Sequence, residues 1–166
     1  DYSLIREEGA YISGGFKAPG PEGLKSSLEK MESLLNNIVA AGGIIKTIHS
    51  YDIVMHLADA VLSGGVRRSA TICLFSYDDE DMMTAKTGSW FIDNPQRARS
   101  NNSAVLLRSK VSFNEFERLV NNARIFGEPG FVFTEDEDTL YNPCVEIGMR
   151  PQTVKGVSGW QGCNLT

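Results

Sequence analysis

Residues 69–75 read Ser-Ala-Thr-Ile-Cys-Leu-Phe, a mainly apolar run that is typical of a strand covered on both faces. Two further short apolar runs, at 103–107 and 130–133, predict a second and a third strand. Between these two runs, Ser-Phe-Asn-Glu at 112–115 matches the capping-box pattern and predicts a helix that ends near Phe126. Because helices and short buried strands alternate, the sequence predicts an α/β fold with helical crossovers between the strands.

The part of the chain before the first strand is predicted to be a loop followed by two helices. Residues 1–22 contain several Gly and Pro breakers. A helix is predicted at 23–41, because apolar residues recur there at the spacing of one buried stripe: Leu24, Leu28, Met31, Leu34, Leu35, Ile38 and Val39. A second helix is expected to begin after Ser50 and to end at Gly64-Gly65.

Two polar segments separate the first and second strands. The acidic run at 78–81 predicts a short helix that continues to Lys86, since acidic side chains favour the first turn of a helix. Residues 87–102 contain Gly, Asn-Pro and Asn-Asn, and they predict a long polar loop.

Composition excludes several classes of protein. Of the 166 residues, 42% are hydrophobic and 22% charged, which are globular values, and the net charge of −5 provides no basic footprint for nucleic acid. No apolar run approaches the roughly 20 residues of a membrane helix. Three cysteines, at 73, 144 and 163, do not form a secreted disulfide framework and favour a reducing compartment such as the cytoplasm. His49 and His56 lack neighbours at zinc-ligand spacing, so a metal site is not expected.

The densest group of reactive side chains is Asn-Pro-Cys-Val-Glu at 142–146. In an extended segment, Asn142, Cys144 and Glu146 would point the same way, and Pro143 favours an extended Asn142. A carboxylate disfavours ionisation of a nearby thiol, which argues against a nucleophilic cysteine and favours hydrogen-atom chemistry. A strand cysteine flanked by polar surface residues explains the same spacing equally well.

This motif resembles the active-site finger loop of ribonucleotide reductases, whose catalytic subunits carry Asn-x-Cys-x-Glu. Three other segments resemble the same family in the same order. They are the Gly-Gly-Val-Arg segment entering a barrel strand (64–70), the substrate-specificity loop of the vitamin-B12-dependent members (94–103), and the segment holding a redox cysteine (162–165). The resemblance extends over nearly the whole chain.

The resemblance implies roles for four side chains. Cys144 matches the thiyl-radical position that abstracts the ribose 3′ hydrogen, Glu146 the base for the 3′-hydroxyl proton, and Asn142 the amide that binds the ribose. Cys163 matches one member of the dithiol that reduces the 2′ position. Its family partner lies upstream, so we expect the partner to be absent from this chain. Cys73 is expected to be a structural residue of the first strand.

The resemblance also implies two loops that bind a deoxynucleotide effector and report to the substrate base, at 12–20 and 87–102. The residues expected to contact effector or substrate are Ser13, Lys17, Arg97, Arg99 and Asn101. Ordinary solvated loops are the alternative interpretation. Arg67 and Arg68 are equally compatible with phosphate binding and with holding loops in place.

The implied fold is part of a ten-stranded α/β barrel with a finger loop at 141–147. The implied activity is reduction of ribonucleotides to deoxyribonucleotides, with adenosylcobalamin as cofactor of the complete enzyme and no cofactor-binding residues evident here. The implied partners are a ribonucleotide substrate, a deoxynucleoside triphosphate effector, a thioredoxin-type reductant, and missing barrel segments or a second subunit. Two alternatives remain: a class I large-subunit segment, and an inactive fragment that binds nucleotide or a partner. The isolated chain is expected to be inactive.

Overall fold

The computed structural model describes residues 1–62, 70–149 and 154–157. The chain divides into two compact units. The first combines residues 1–70 with 94–99, and the second combines residues 71–93 with 100–166. Gly64-Gly65, Arg67, Arg68 and Cys163 lie outside the described residues, so the predictions made for them are not tested.

The first unit begins with a hairpin and continues with two packed helices. Residues 9–18 form the hairpin, in which Tyr11 and Lys17 make an antiparallel bridge. Helix α1 spans Glu22–Ala40 and helix α2 spans Thr47–Leu62, and they pack against each other. The prediction of α1 is confirmed. Helix α2 starts earlier than predicted, because the carbonyl of Lys46 already accepts a helical hydrogen bond from the amide of Ser50 at 3.2 Å.

The end of α1 is set by glycine, as predicted. Gly42 has φ 64°, and the amide of Gly43 reaches back to the carbonyl of Ile38 at 3.0 Å, which closes the last turn. The predicted stripe of α1 is less buried than expected. Ile38 is buried, but Leu35 and Val39 are exposed, so the apolar surface of this helix is only partly covered by α2.

The second unit contains a three-stranded parallel sheet in the order β1-β2-β3. Its strands are β1 (Thr71–Ser76), β2 (Ser100–Leu107) and β3 (Gly130–Thr134). The central strand forms the core, since Ala104 and Leu106 are fully buried. The prediction of an α/β fold with parallel strands is confirmed. Closure into a ten-stranded barrel stays a prediction.

Short helices occupy the connection between β1 and β2. Helix α3 spans Glu80–Met83, with Asp79 as its N-cap, and helix α4 spans Trp90–Asp93. Residues Pro95–Arg99 form a 3₁₀ helix. The predicted loop at 87–102 is therefore wrong as secondary structure. Strand β2 begins at Ser100, which pairs with Thr71 of β1. The Ser100 hydroxyl donates to the Asn102 side chain at 2.7 Å, and both residues are buried.

Helix α5 spans Phe113–Phe126, as the capping box predicted. The Ser112 hydroxyl accepts a hydrogen bond from the Glu115 amide, and the Glu115 carboxylate accepts one from the Ser112 amide at 2.7 Å. The Ser112 hydroxyl also donates to the Glu115 carboxylate at 2.7 Å, and this bond, together with the one from the Ser112 amide, lowers the pKa of Glu115. Phe116 packs on Phe131 and Phe133 of β3, with ring centroids 5.1 and 5.5 Å away, and so fixes the crossover on the sheet. Among the described helices, none combines the length and apolarity needed to cross a membrane.

Candidate functional site

The Asn-Pro-Cys-Val-Glu motif lies in the loop of a small hairpin. Strands β4 (Leu140–Tyr141) and β5 (Gly148–Met149) are antiparallel and enclose residues 142–147 of the finger loop, whose first residue, Tyr141, ends β4. The amide of Val145 donates to the carbonyl of Asn142 at 2.9 Å, which closes a β-turn over 142–145. The expectation of an extended segment is therefore wrong, because a turn places Cys144 at its third position.

The turn separates the three side chains that the sequence predicted to face one site. Asn142 is only 1% exposed, and its Oδ1 accepts a hydrogen bond from the amide of Ile147 at 2.9 Å. Cys144 and Glu146 are exposed. Asn142 thus stabilises the loop from inside, while the thiol and the carboxylate lie on its surface. Their roles in chemistry stay predictions.

Asn101 brings strand β2 into contact with the finger loop. Its side-chain Nδ2 donates to the carbonyl oxygen of Pro143 at 2.7 Å. Asn101 was expected to contact effector or substrate from the loop at 87–102. The structure instead places its amide on the backbone immediately before Cys144.

An open cleft of about 300 Å³ lies at the carboxyl ends of β1 and β2. In parallel α/β sheets, ligands bind outside the carboxyl ends of the strands. Leu140 of β4 lines this cleft, whereas the finger loop contacts Asn101 near the amino end of β2. The full lining is Leu74, Phe75, Ser76, Tyr77, Val105, Leu107, Glu137 and Leu140.

Both arginines predicted to bind effector or substrate are paired with carboxylates of α2. Arg97 makes two hydrogen bonds to Asp52, Nε to Oδ1 at 2.7 Å and Nη2 to Oδ2 at 2.6 Å. Gln96 donates to the same Asp52 at 3.0 Å, and Arg99 pairs with Asp59 at 2.8 Å. Asp52 is buried, so its charge is offset by the Arg97 guanidinium. These bonds attach residues 96, 97 and 99 to α2.

Sequence reasoning missed Asp52, since a single acidic residue in a helix carries no signal of a partner some 45 positions later. His56 follows it on α2. Burial lowers the pKa of His56 and Lys30 lowers it further, while the charges of Asp52 and Asp59 raise it. No cluster of three or more His, Cys, Asp or Glu side chains suited to a metal ion occurs among the described residues.

Lys86 is a second residue that sequence reasoning missed. Its side chain is 6% exposed, and its Nζ donates to the carbonyl oxygen of Ser100 and pairs with Glu128 at 2.9 Å. The ammonium also lies 5.5 Å from the centroid of the Trp90 ring. Lys86 therefore joins the start of the segment 87–102 to the first residue of β2. A lysine at the end of a polar run looks like a surface residue, and only the fold reveals its burial.

The remaining predicted residues are Ser13, Lys17, Cys73 and Cys163. Ser13 and Lys17 are both exposed on the first hairpin: Ser13 is next to Gly14 and Gly15 at the tip, where φ is near 80°, and Lys17 lies in the bridge to Tyr11. Cys73 lies half-buried in β1 as a free thiol. Burial raises its pKa to about 11, with a further increase from the Asp79 charge. These properties agree with a structural thiol, as expected.

Curated proteins from lactobacilli match the chain. An adenosylcobalamin-dependent ribonucleoside-triphosphate reductase of Lactobacillus delbrueckii subsp. bulgaricus is 36% identical over 133 residues, which is 80% of this chain and 17% of that protein. Reductases of the same name from Lacticaseibacillus paracasei and Lactobacillus acidophilus are 31% and 34% identical, covering 99% and 98% of this chain. The chain is homologous to one segment of these reductases.

The segment is a minor part of the matching reductases, since the chain spans about a fifth of their length. No model of a protein family matches the chain, and no solved structure matches it. The homology confirms the family that the four sequence motifs indicated.

Proposed function

We propose that this chain is the part of an adenosylcobalamin-dependent ribonucleotide reductase that carries the radical cysteine. The exposed thiol of Cys144, held at a tight turn between Asn142 and Glu146, is the observation that carries this proposal. The names of the relatives favour a ribonucleoside triphosphate as substrate. They also favour this class over the class I alternative and over an inert binding fragment.

The proposed reaction uses three side chains of this chain. A radical on the Cys144 sulfur takes the 3′ hydrogen atom of the ribose and becomes a thiol. Glu146 removes the 3′-hydroxyl proton, a contribution of about 10²–10⁴-fold for a positioned base. Cys163 and a second thiol supply two electrons and two protons and become a disulfide. One proton leaves with the 2′-hydroxyl as water, the other is added at the 2′ carbon with the two electrons, and Glu146 returns its proton to the 3′ oxygen. The 3′ hydrogen then returns from Cys144, which restores the radical.

Adenosylcobalamin would supply the radical in the complete enzyme, but the described residues do not fit a site for it. Two clefts among them, of about 300 and 470 Å³, are open and small for a corrin. No metal-holding cluster occurs in residues 1–62, 70–149 and 154–157. We therefore assign no described residue to the cofactor.

Binding of a deoxynucleoside triphosphate effector is the regulatory part of the proposal. Ser13 and Lys17 support it, because both are exposed on a hairpin whose tip contains Gly14 and Gly15, and glycine permits close approach of a phosphate to the backbone. Arg99 is the better candidate of the two arginines, with 36% of its side chain exposed against 12% for Arg97. The proposal also includes two kinds of partner, a thioredoxin-type reductant and further barrel segments. The proposed location is the cytoplasm.

The test is Cys144→Ala in the complete polypeptide that contains this chain, with Cys73→Ala as the matched control. We expect Cys144→Ala to abolish formation of deoxynucleotide from ribonucleoside triphosphate while nucleotide binding by calorimetry is retained. Cys73→Ala should keep turnover, since that thiol is structural. Turnover by the Cys144→Ala protein would refute the radical role.

A further inference from the structure

The contact between Asn101 and Pro143 joins two elements that are 42 residues apart in sequence. The Pro143 carbonyl oxygen can only accept a hydrogen bond, so the Asn101 amide must present its Nδ2 group. The distance of 2.7 Å is at the short end of the range for N–H···O bonds. Asn101 is thus oriented by this contact, with its amide directed at the finger loop.

The Pro143 carbonyl belongs to the central peptide of the turn at 142–145. Type I and type II turns differ mainly by a flip of this peptide, which reverses the direction of its carbonyl and changes the conformation of the third residue. Here the third residue is Cys144. A flip to type II would require a positive φ at Cys144, whereas Val145 is the only described non-glycine residue with positive φ, at 68°.

We infer that Asn101 is a positioning residue for Cys144. Its bond to the Pro143 oxygen fixes the orientation of the peptide between Pro143 and Cys144, and hence the direction in which the thiol leaves the finger loop. The catalytic meaning of that direction rests on the proposed radical function of Cys144. The orientation of the peptide between Pro143 and Cys144 does not depend on that function.

Asn101 lies in β2, the central and most buried strand of the sheet in the second unit. Asn101 pairs with Ile72 in the parallel ladder, and its neighbours Ser100 and Asn102 are buried. Lys86 holds the carbonyl of Ser100. The finger loop lies outside this sheet, so the hydrogen bond from Asn101 restricts the motion of the turn relative to β2. Because Asn101 itself is exposed, water competes for the bond and a moderate effect is expected.

Hydrogen–deuterium exchange of the complete polypeptide tests whether Asn101 restricts the turn. The probe is the segment 140–149, which contains the Val145 and Ile147 amides bonded to Asn142. Asn101→Ala should accelerate exchange there by about two- to tenfold, the range of one net hydrogen bond. Asn101→Asp is isosteric but faces the carbonyl with an acceptor, so it should accelerate exchange at least as much.

The control is Asn121→Ala, an exposed asparagine of α5 in the same unit. It should leave exchange at 140–149 unchanged, and exchange within α5 should be unaffected by either Asn101 variant, which reports that the fold is intact. Unchanged exchange at 140–149 in both Asn101 variants would overturn the inference, whatever the function of Cys144.

Steady-state kinetics of the same variants test the catalytic meaning. A misdirected thiol should lower kcat for triphosphate reduction by about tenfold with little change in KM, since misplacement of reacting groups slows the chemical step. A raised KM with unchanged kcat would instead assign Asn101 to direct binding and overturn its positioning role. If Cys144→Ala retains turnover, the proposed function fails, while the exchange experiment still decides the geometry.

Discussion

The two described cysteines differ in the properties that control thiol reactivity. Cys144 is exposed on the finger loop, while Cys73 is half-buried and has a pKa of about 11. At pH 8 only about 0.1% of Cys73 is thiolate, from that pKa. Since the thiolate is the reactive form, iodoacetamide should label Cys144 at least about tenfold faster than Cys73.

The pH dependence of labelling checks the cause of this difference. The raised pKa of Cys73 means that its labelling rate should rise about tenfold per pH unit from pH 8 until it levels near pH 11. Mass spectrometry of the two cysteine peptides measures both rates, and Cys144→Ser identifies the fast peptide. Equal labelling of both thiols at pH 8 would contradict the burial of Cys73.

At the scale of single residues, the sequence identified the chemistry better than the geometry. Cys144 and Glu146 could be selected because their types and spacing form a recognisable motif. Their directions could not be predicted, because they depend on the turn at 142–145, on the positive φ of Val145 and on the bond from Asn101. The positive φ of Val145 and the bond from Asn101 depend on the fold and not on the residue types of the motif.

At the scale of elements, the attachment of residues 94–99 to α2 depends on one buried carboxylate. Asp52→Asn removes the charge that offsets Arg97, whose side chain is 12% exposed. Leaving a buried ion unpaired costs about 3–5 kcal/mol. We expect a loss of free energy of unfolding in this range, measured by urea denaturation at pH 7.

Asp59→Asn is the matched control on the same helix. Its partner Arg99 is 36% exposed, and exposed ion pairs contribute less than about 1 kcal/mol. The loss should therefore be several times smaller than for Asp52→Asn. Equal losses from the two variants would show that burial of the Asp52–Arg97 pair is not what holds residues 94–99.

The elements differ in how far local sequence specifies them. Helix α5 was predicted to within a residue, because its capping box of Ser112 and Glu115 lies within its first turn. The segment 87–102 was wrongly predicted, because its structure depends on distant partners. Asp52 holds residues 96 and 97, and pairing with Thr71 of β1 extends β2 to Ser100. Contacts between residues that are far apart in the sequence leave no signal in a local sequence pattern.

At the scale of the whole chain, the described surface carries many large apolar side chains. Parallel sheets are normally covered on both faces, yet β3 is an edge strand with Phe131 and Phe133 about 40% exposed. On α1 and α5, Val39, Phe113 and Ile125 are more exposed still. Surfaces of this kind favour association, and an edge strand adds unpaired backbone groups that can join another chain.

We therefore expect the 166-residue segment, expressed alone, to self-associate through the edge of β3. Phe131→Lys places a charge on β3 and should shift the protein to monomer in size-exclusion chromatography with light scattering. Because Phe131 also packs on Phe116, circular dichroism must show that the helices and the sheet are retained in this variant. Phe113→Lys adds the same charge on α5, at a side chain that is 75% exposed against 42% for Phe131. If exposed apolar area alone drives association, Phe113→Lys should be the more effective of the two. Monomer formation by Phe131→Lys alone would identify the strand edge as the cause, and a wild-type segment that stays monomeric at all concentrations would contradict the prediction.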